Sequence, residues 1–254
     1  MSTATHDRAR WFREHFEDAA DEILDFLGGA GIKIEGHRVA DIGCGDGIID
    51  LGLALKGRPD ELVGYDLMDV DTDALTDAAR AAGVADSLPE ELRFERSEPV
   101  SIPAPDESFD MIVTWSVFEH VDDPVALLGE IRRVINPVDG CLFLQLWPFY
   151  ASEHGGHLWP HYEGPFPHLL RGDEQILSEI DGKPATDPRR TAEDEYRSLN
   201  KITLADLHQA LIANDFAVAK LKLIANTVHI PLELRDRPLA DLGIGGVELL
   251  ATPV

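Results

Sequence analysis

The chain has 254 residues, of which 44% are hydrophobic and 27% are charged, so it can bury a full core. Its formal net charge of −25 argues strongly against a nucleic-acid surface, because phosphate binding needs clustered lysine and arginine. The two cysteines suggest no disulfide framework, the N-terminus is charged, and no run approaches the roughly 18 apolar residues of a membrane span. These features predict a soluble, cytoplasmic protein without nucleic-acid or membrane partners.

The first predicted element is an amphipathic helix over residues 7–28. Its apolar stripe consists of Trp11, Phe12, Phe16, Ile23, Phe26 and Leu27. Gly28 and Gly29 close it, since glycine commonly follows the last turn of a helix. Residues 1–36 are therefore interpreted as an N-terminal helical lid on the core.

Five short apolar segments then alternate with helical segments. The predicted strands lie at about 37–42, 61–66, 92–97, 109–115 and 141–147. Such alternation predicts right-handed crossovers and a mostly parallel, doubly wound sheet. Ligands of these sheets bind outside the carboxyl ends of the strands, where Asp41, Asp66, Ser97 and Trp115 fall. We expect the binding site at that edge of the core, residues 37–147.

The first crossover carries a glycine at every second position: Gly43, Gly45 and Gly47. Glycine lacks a Cβ atom, so this loop can turn sharply and bring its N–H groups close to a ligand. Asp66 ends the next strand, about 20 residues farther on, where a carboxylate can accept hydrogen bonds from both ribose hydroxyls of an adenosine. The pattern predicts a nucleotide-type cradle, and a glycine turn in an ordinary Rossmann-like domain is the alternative.

The G-x-G-x-G loop, with Asp41 two residues before its first glycine, resembles motif I of the class I S-adenosylmethionine-dependent methyltransferases. The resemblance covers about 37–147 well and 201–254 loosely, and the last two predicted strands are about 216–225 and 247–252. It implies an α/β fold with a doubly wound, mostly parallel, seven-stranded, Rossmann-like sheet whose last strand is antiparallel. The implied cofactor is S-adenosylmethionine.

The same resemblance implies a set of cofactor contacts at the strand ends. These candidates are Asp41, Gly43, Cys44, Gly45, Asp66, Leu67, Ser97, Glu98 and Trp115. Ser97 and Glu98 are the adenine candidates, because the aspartate that the family often has in this region is absent. Trp11 and His15 of the lid are further candidate contacts, since this helix often covers the cofactor in the family.

Glu119 and His120 follow the fourth strand and resemble the E-x-x-E-H segment of metal-dependent O-methyltransferases, such as those of ubiquinone biosynthesis and the small-RNA 2′-O-methyltransferases. There two carboxylates and a histidine hold a divalent cation. Ser116 stands at the first carboxylate position here, and His154 or His157 is the candidate replacement. The implied metal ligands are Glu119, His120 and His157, with Mg²⁺ as the expected ion. A histidine that packs or caps structure without metal is the alternative.

Residues 148–200 interrupt the alternation and contain His154, His157, His161 and His168. They also hold aromatic residues that could form a small satellite core, a pocket wall, or both. Long insertions of this kind are more often functional than passive, so we predict a substrate cap. A loop of exposed histidines is the alternative. A helix over 202–214, capped by Thr203 or Asp206, returns the chain to the core at 201–254.

These features predict an S-adenosylmethionine-dependent methyltransferase that methylates a hydroxyl of a small polar molecule, sugar or glycan. His120, His154 and His157 are the candidate catalytic residues, because imidazole can take a proton near neutral pH. The acceptor and a second copy of the chain are the expected partners. The alternatives are N- or C-methylation in natural-product biosynthesis and a non-catalytic cofactor-binding or interaction protein of the same fold.

Overall fold

The computed structural model describes residues 10–185, 189–225 and 227–254. Its strands are β1 (Arg38–Ile42), β2 (Glu61–Asp66), β3 (Leu92–Arg96), β4 (Met111–Trp115), β5 (Cys141–Leu146), β6 (Phe216–Ala225) and β7 (Ile244–Pro253). They form one seven-stranded sheet in the order β3-β2-β1-β4-β5-β7-β6. The strands β1 to β5 pair in parallel, and β7 is antiparallel to both β5 and β6. The predicted fold class is confirmed.

Helices cover both faces of this sheet. Helix α1 spans residues 10–28 and includes a π-helical turn at Glu14–Ala19. The others are α2 (Ile48–Gly57), α3 (Thr72–Ala82), α4 (Pro124–Val134), α5 (Pro167–Leu170), α6 (Asp173–Ile180), α7 (Ala192–Arg197), α8 (Leu204–Ala213) and α9 (Leu239–Gly243). Short 3₁₀ turns lie at Phe118–His120 and Leu232–Leu234. Residues 7–9 of the predicted first helix lie outside the described residues.

The central strands are buried on both faces, and successive side chains alternate between two helix layers. Val39 packs with α1, α2 and α3, whereas its neighbour Ala40 packs with α4 and α8. This explains why the sequences of β1 and β5 are nearly continuous runs of apolar residues. Along the described segments, no helix combines the length and apolar character needed to cross a bilayer.

Both residues proposed for the start of α8 take part in its cap. The Thr203 hydroxyl accepts the N–H of Asp206 at 3.1 Å, and the Asp206 carboxylate accepts the N–H of Thr203 at 3.1 Å. This reciprocal capping box satisfies two N–H groups that have no partner within the helix.

The segment 148–200, which we call the cap, lies between β5 and α8. It has its own apolar cluster, formed by Leu158, Ile176, Ile180, Ala192, Tyr196 and Leu199. His168 is buried, with its Nε2 2.5 Å from the Tyr150 carbonyl oxygen. Burial lowers the pKa of His168 to about 4, so this imidazole is neutral and structural at pH 7. The cap thus has an apolar core of its own, and of the aromatic residues proposed for a satellite core only Tyr150 and Tyr162 pack against it.

Candidate active site

The strand order reverses between β1 and β4, which are neighbours at the centre of the sheet. Asp41 lies in register with Gly64 of β2 on one side and Val113 of β4 on the other. Helices leave the two central strands on opposite faces of the sheet, so a crevice opens beyond their carboxyl ends. The predicted cofactor residues fall around this crevice.

The glycine loop has a backbone that side chains would disrupt. Gly43 and Gly47 adopt φ angles of +84° and +78°, in the left-handed region that favours glycine. A Cβ atom on Gly43 would lie 2.3 Å from a methyl group of Val117, and one on Gly47 would lie 2.6 Å from the Phe94 ring. The loop therefore requires glycine for both its conformation and its close packing.

Asp66 connects the end of β2 to this loop. One carboxylate oxygen accepts the N–H of Gly45 at 2.9 Å, and the other accepts the N–H of Met68 at 3.0 Å. The adjacent Leu67 is about half exposed, at 49%. The two carboxylate bonds fix the position of Asp66 at the mouth of the crevice, where the sequence had placed it.

Beneath the loop, Asp41 meets a second buried acid that the sequence reasoning missed. Asp50 on α2 is fully buried, and its carboxyl group faces that of Asp41. Burial, reinforced by the charge of Asp66, raises the pKa of Asp41 to about 7, and burial also raises the pKa of Asp50. Two carboxyl groups can hydrogen-bond only when one keeps its proton. A single acid within the apolar run of α2 was the available signal.

The lid and the cap approach the loop from separate parts of the chain. The Trp11 indole N–H donates to the Asp46 carboxylate at 2.7 Å, and the His15 ring lies against Trp11 with centroids 3.9 Å apart. From the cap, a guanidinium nitrogen of Arg189 lies 3.3 Å from where a Cβ on Gly45 would be. Trp11 is thus at the loop, and Arg189 is an unpredicted neighbour.

The side chain of Cys44 packs inside the protein and is not exposed to the crevice. Its thiol is buried, and a Cβ atom on Gly64 would lie 2.9 Å from the Cys44 sulfur. Burial, together with the nearby carboxylates, raises the pKa of this thiol well above its usual value, so it is a neutral group. Its backbone is also bonded within the protein, because its N–H donates to the Tyr65 carbonyl oxygen at 3.1 Å and its carbonyl oxygen accepts the N–H of Gly47 at 3.0 Å.

The remaining cofactor candidates lie at the ends of β3 and β4. Ser97 donates its N–H to the Asp66 carbonyl oxygen at 2.9 Å, whereas Glu98 is exposed and pairs with Ser101 through the backbone. Trp115 stacks on Phe143 with ring centroids 6.4 Å apart. Ser97 is therefore the better placed of the two adenine candidates, because it adjoins Asp66.

The structure brings Glu119, His120 and His157 together. One ligand atom from each lies within 4.8 Å of the others, the only such metal-like group found in the described ranges. Glu119 and His120 belong to the 3₁₀ turn after β4, and His157 comes from the cap with a φ of +53°. These three residues are the ones named from the sequence as metal ligands.

A fourth group, Glu195 of α7, adjoins this cluster and was missed by the sequence reasoning. Its Oε1 lies 3.5 Å from His157 Nδ1, and both side chains are buried. Burial raises the pKa of Glu119 to about 8, and the charge of Glu195 adds to the rise. In the sequence, Glu195 is one of many acids in a polar run, so nothing distinguished it.

Ser116, which stands at the position of the first carboxylate, is bonded to other residues of the core. Its hydroxyl donates to the Gln145 side-chain oxygen at 3.0 Å, and its backbone is left-handed with a φ of +51°. His154, the other candidate for the missing carboxylate, is not a member of the cluster. It instead pairs with Glu153, at 3.2 Å.

Aromatic rings form a wall beside the cluster. Trp147 and Trp159 lie with centroids 5.6 Å apart, and His154 is 6.1 Å and 5.7 Å from them. Trp159 is also 5.3 Å from His157, so it joins the wall to the cluster. We call Trp147, His154 and Trp159 the aromatic wall.

The donor chemistry of the cluster tests which cation it would fit. Glu119, His120 and His157 offer a carboxylate and two imidazoles in a buried setting. Mg²⁺ prefers oxygen ligands and keeps several waters, whereas imidazole suits Zn²⁺ and neighbouring transition cations. The residues therefore fit a divalent cation, and they fit a transition ion better than the Mg²⁺ expected from the sequence.

Comparison with known proteins shows that the chain belongs to a methyltransferase family. Residues 11–221 match a family model described as a methyltransferase domain. The ubiquinone biosynthesis O-methyltransferase of Hahella chejuensis is 32% identical over 114 residues, which are 45% of this chain and 44% of the relative. The chain spans less than half the length of the curated relatives it matches.

Solved structures share the fold over nearly the whole chain. One is a chain from the complex between the Haloferax volcanii Trm112 methyltransferase activator and a methyltransferase, with a TM-score of 0.57, 18% identity, and coverage of 98% of this chain and 95% of that one. Another is the geranyl diphosphate C-methyltransferase of Streptomyces coelicolor, solved with Mg²⁺, geranyl diphosphate and S-adenosylhomocysteine. Its TM-score is 0.59 at 15% identity, with coverage of 93% and 79%. At these identities the likeness concerns the fold alone.

Proposed function

Because the chain belongs to the class I S-adenosylmethionine-dependent methyltransferases, we propose that it transfers a methyl group from this cofactor to a hydroxyl of a small molecule. The proposal of an oxygen acceptor rests on the Glu119–His120–His157 cluster, which lies beside the aromatic wall. The name of the Hahella chejuensis relative, an O-methyltransferase, agrees with it.

The glycine loop and the acids around it would hold the cofactor. Asp66, already fixed by the Gly45 N–H, would accept the ribose hydroxyls. The acid Asp41 would meet the positively charged methionine end. S-adenosylmethionine supplies the reactive methyl group on a sulfonium, so the protein mainly aligns the acceptor and removes its proton.

The cluster would prepare the acceptor hydroxyl. Glu119, His120 and His157 would hold a divalent cation, which supplies Lewis-acid polarisation of a nearby hydroxyl. His154 would take the released proton, since it lies in the aromatic wall and is paired with Glu153. Trp147 and Trp159 would bind a flat apolar face, as sugars and phenols have. Association as a homodimer stays a prediction.

The test combines cofactor binding with turnover on a panel of catechols, phenols, sugars and amines. His120→Ala and His157→Ala should bind S-adenosylhomocysteine like the wild type, while turnover of a hydroxyl acceptor falls about 10²-fold or more. His161→Ala is the matched control, because the ring of this histidine, also in the cap, lies 2.9 Å from the Pro184 carbonyl oxygen and is not part of the cluster.

Three results would argue against the proposal. Failure of wild-type protein to bind S-adenosylhomocysteine would overturn the methyltransferase function. Turnover of amines alone would move the acceptor to nitrogen. Turnover that persists in EDTA but disappears in His157→Ala would make His157 a direct base instead of a ligand.

A further inference from the structure

Gln145 is a polar residue near the end of β5, a strand that is otherwise apolar. It lies in register with Trp115 of β4 and Glu248 of β7, and it is only 5% exposed. Because side chains alternate along a strand, Gln145 lies on the same face of the sheet as Phe143, which packs against Phe26 of α1. The fold thus holds an amide group at the carboxyl edge of the sheet.

Two hydrogen bonds fix the orientation of this amide. The backbone N–H of Ser116 donates to the Gln145 side-chain oxygen at 2.9 Å, and the Ser116 hydroxyl donates to the same oxygen at 3.0 Å. A backbone N–H can only donate, so the atom that faces Ser116 must be the carbonyl oxygen and not the nitrogen. The amide nitrogen therefore points away from Ser116.

The amide nitrogen of Gln145 has no partner of its own. Across the part of the chain that the structure describes, no acceptor bonds to Gln145 Nε2, and this atom is not closed off from the surface. Unpaired donors on a largely buried amide cost free energy, which a hydrogen bond to a bound molecule recovers. An amide with a fixed oxygen and open N–H groups is a preorganised donor for a ligand.

The position of Gln145 favours the methyl acceptor over the cofactor. Strand β4 separates β5 from β1, so Gln145 lies about 9–10 Å across the sheet from the strand that carries Asp41 and leads into the glycine loop. The Ser116 hydroxyl that holds the amide also lies 3.2 Å from the carbonyl oxygen of Trp147, a residue of the aromatic wall. The amide is therefore joined to the wall that would bind the acceptor.

We propose that the side-chain N–H group of Gln145 donates a hydrogen bond to the acceptor oxygen and so selects a hydroxyl compound over a protonated amine. This inference rests on the proposed function and specifies its acceptor. The same donor stabilises the negative charge that develops on this oxygen when its proton passes to His154. A protonated amine offers only donors, so it leaves the N–H groups of Gln145 unpaired and repels them.

The test separates acceptor binding from cofactor binding. Catechol, phenol and glucose are titrated by calorimetry into the full chain saturated with S-adenosylhomocysteine, which carries no methyl group to transfer. Gln145→Glu keeps an oxygen for both Ser116 bonds but replaces the N–H donor with a second acceptor. Its affinity for a hydroxyl compound that the wild type binds should fall at least about tenfold, and its affinity for S-adenosylhomocysteine should stay within about twofold.

Two further variants and one amine make the comparison specific. Gln145→Met has a similar length, lacks the donor and adds no charge, so it should weaken binding of the hydroxyl compound roughly 3–10-fold. Gln209→Glu is the control, because Gln209 is exposed on α8 and should leave both affinities unchanged. Benzylamine should bind Gln145→Glu more tightly than the wild type, a gain that a merely structural role of Gln145 would not produce.

Each contrary result has a distinct meaning. If the wild type binds none of the three hydroxyl compounds, or if both Gln145 variants bind them like the wild type, the role of Gln145 is overturned. An unchanged benzylamine affinity in Gln145→Glu would contradict the selectivity. A loss of affinity for S-adenosylhomocysteine alone would assign the amide to the cofactor and also overturn the proposal.

The remaining outcomes concern folding and the reaction itself. If Gln145→Glu is unfolded by circular dichroism, Gln145→Met decides by the same criterion, and wild-type affinity in that variant would overturn the role of Gln145. Failure of the wild type to bind S-adenosylhomocysteine would instead overturn the proposed function.

Discussion

His120 and His157 lie edge to face with ring centroids 5.0 Å apart, although one belongs to the turn after β4 and the other to the cap. Their closeness places the cap's chemistry at the carboxyl edge of the sheet, next to the glycine loop. In the proposed function, the acceptor would therefore bind between the core and the cap, beside the loop that would hold the cofactor.

Gly43→Ala should abolish detectable cofactor binding. The new Cβ would overlap Val117 and occupy a left-handed φ of +84°, which together should cost roughly 2–4 kcal/mol of stability. Gly31→Ala is the matched control, since Gly31 has a φ of +77° but nothing within 4 Å of its Cβ position. It should cost only about 1 kcal/mol and leave binding unchanged. Calorimetric titration and urea unfolding measure the two effects, and equal losses would contradict this account.

The affinity for S-adenosylhomocysteine should rise with pH and level off above about pH 7. The pKa of Asp41 is raised to about 7 mainly by burial, so below that pH the carboxyl must lose a proton to meet the ligand's ammonium group. Calorimetry in buffers of different ionisation enthalpy should detect proton release at pH 6. Asp41→Asn should remove this pH dependence, and a flat profile in the wild type would refute the assignment.

Asp50→Asn should stabilise the ligand-free protein at pH 7. Because burial raises the folded-state pKa of Asp50, the folded chain binds a proton that the unfolded chain has lost. Its contribution to the free energy of unfolding is therefore present at low pH and declines as pH rises from about 4 toward the raised pKa. The Asp50→Asn variant should show a smaller decline, and its free energy of unfolding at pH 7 should exceed that of the wild type by more than about 1 kcal/mol. Urea unfolding between pH 5 and 8 tests it, and a less stable variant at pH 7 would be the contrary result.

Trp159→Ala should weaken acceptor binding without affecting the cofactor. Trp159 contacts Trp147 and His157 in the aromatic wall, so its loss should raise the KM for the acceptor roughly 2–10-fold. Trp159→Phe keeps a ring and should stay closer to the wild type. A change in S-adenosylhomocysteine affinity with an unchanged KM would place the wall on the cofactor instead.

Thr203→Ala should lower the free energy of unfolding by about 1 kcal/mol, because it removes one half of the capping box of α8. Thr203→Ser keeps the hydroxyl and should retain most of the stability in urea unfolding. Equal stability of the alanine variant and the wild type would show that the box contributes nothing measurable.

Much of the fold could be predicted because its signals are local. Strand periods and turn residues placed β2 and β6 at the boundaries the structure has, and the other strands within a few residues of them. The glycine spacing likewise predicted the loop, since a left-handed backbone needs glycine wherever it occurs. His154, one of the two candidates for the missing carboxylate, lies in the aromatic wall and not among the cluster's ligand atoms.

The sequence by itself determined the sheet and the glycine loop with Asp66 at its side, because both depend on spacing along strands and turns. Glu119, His120 and His157 were predicted through the family resemblance, and their role as ligands stays a prediction. Only the tertiary structure decided that Asp50 faces Asp41, that Glu195 lies beside His157 and that Ser116 is bound to Gln145. The reason is physical: these meetings join residues distant in the chain, and the burial that shifts their pKa values exists only once the layers have packed.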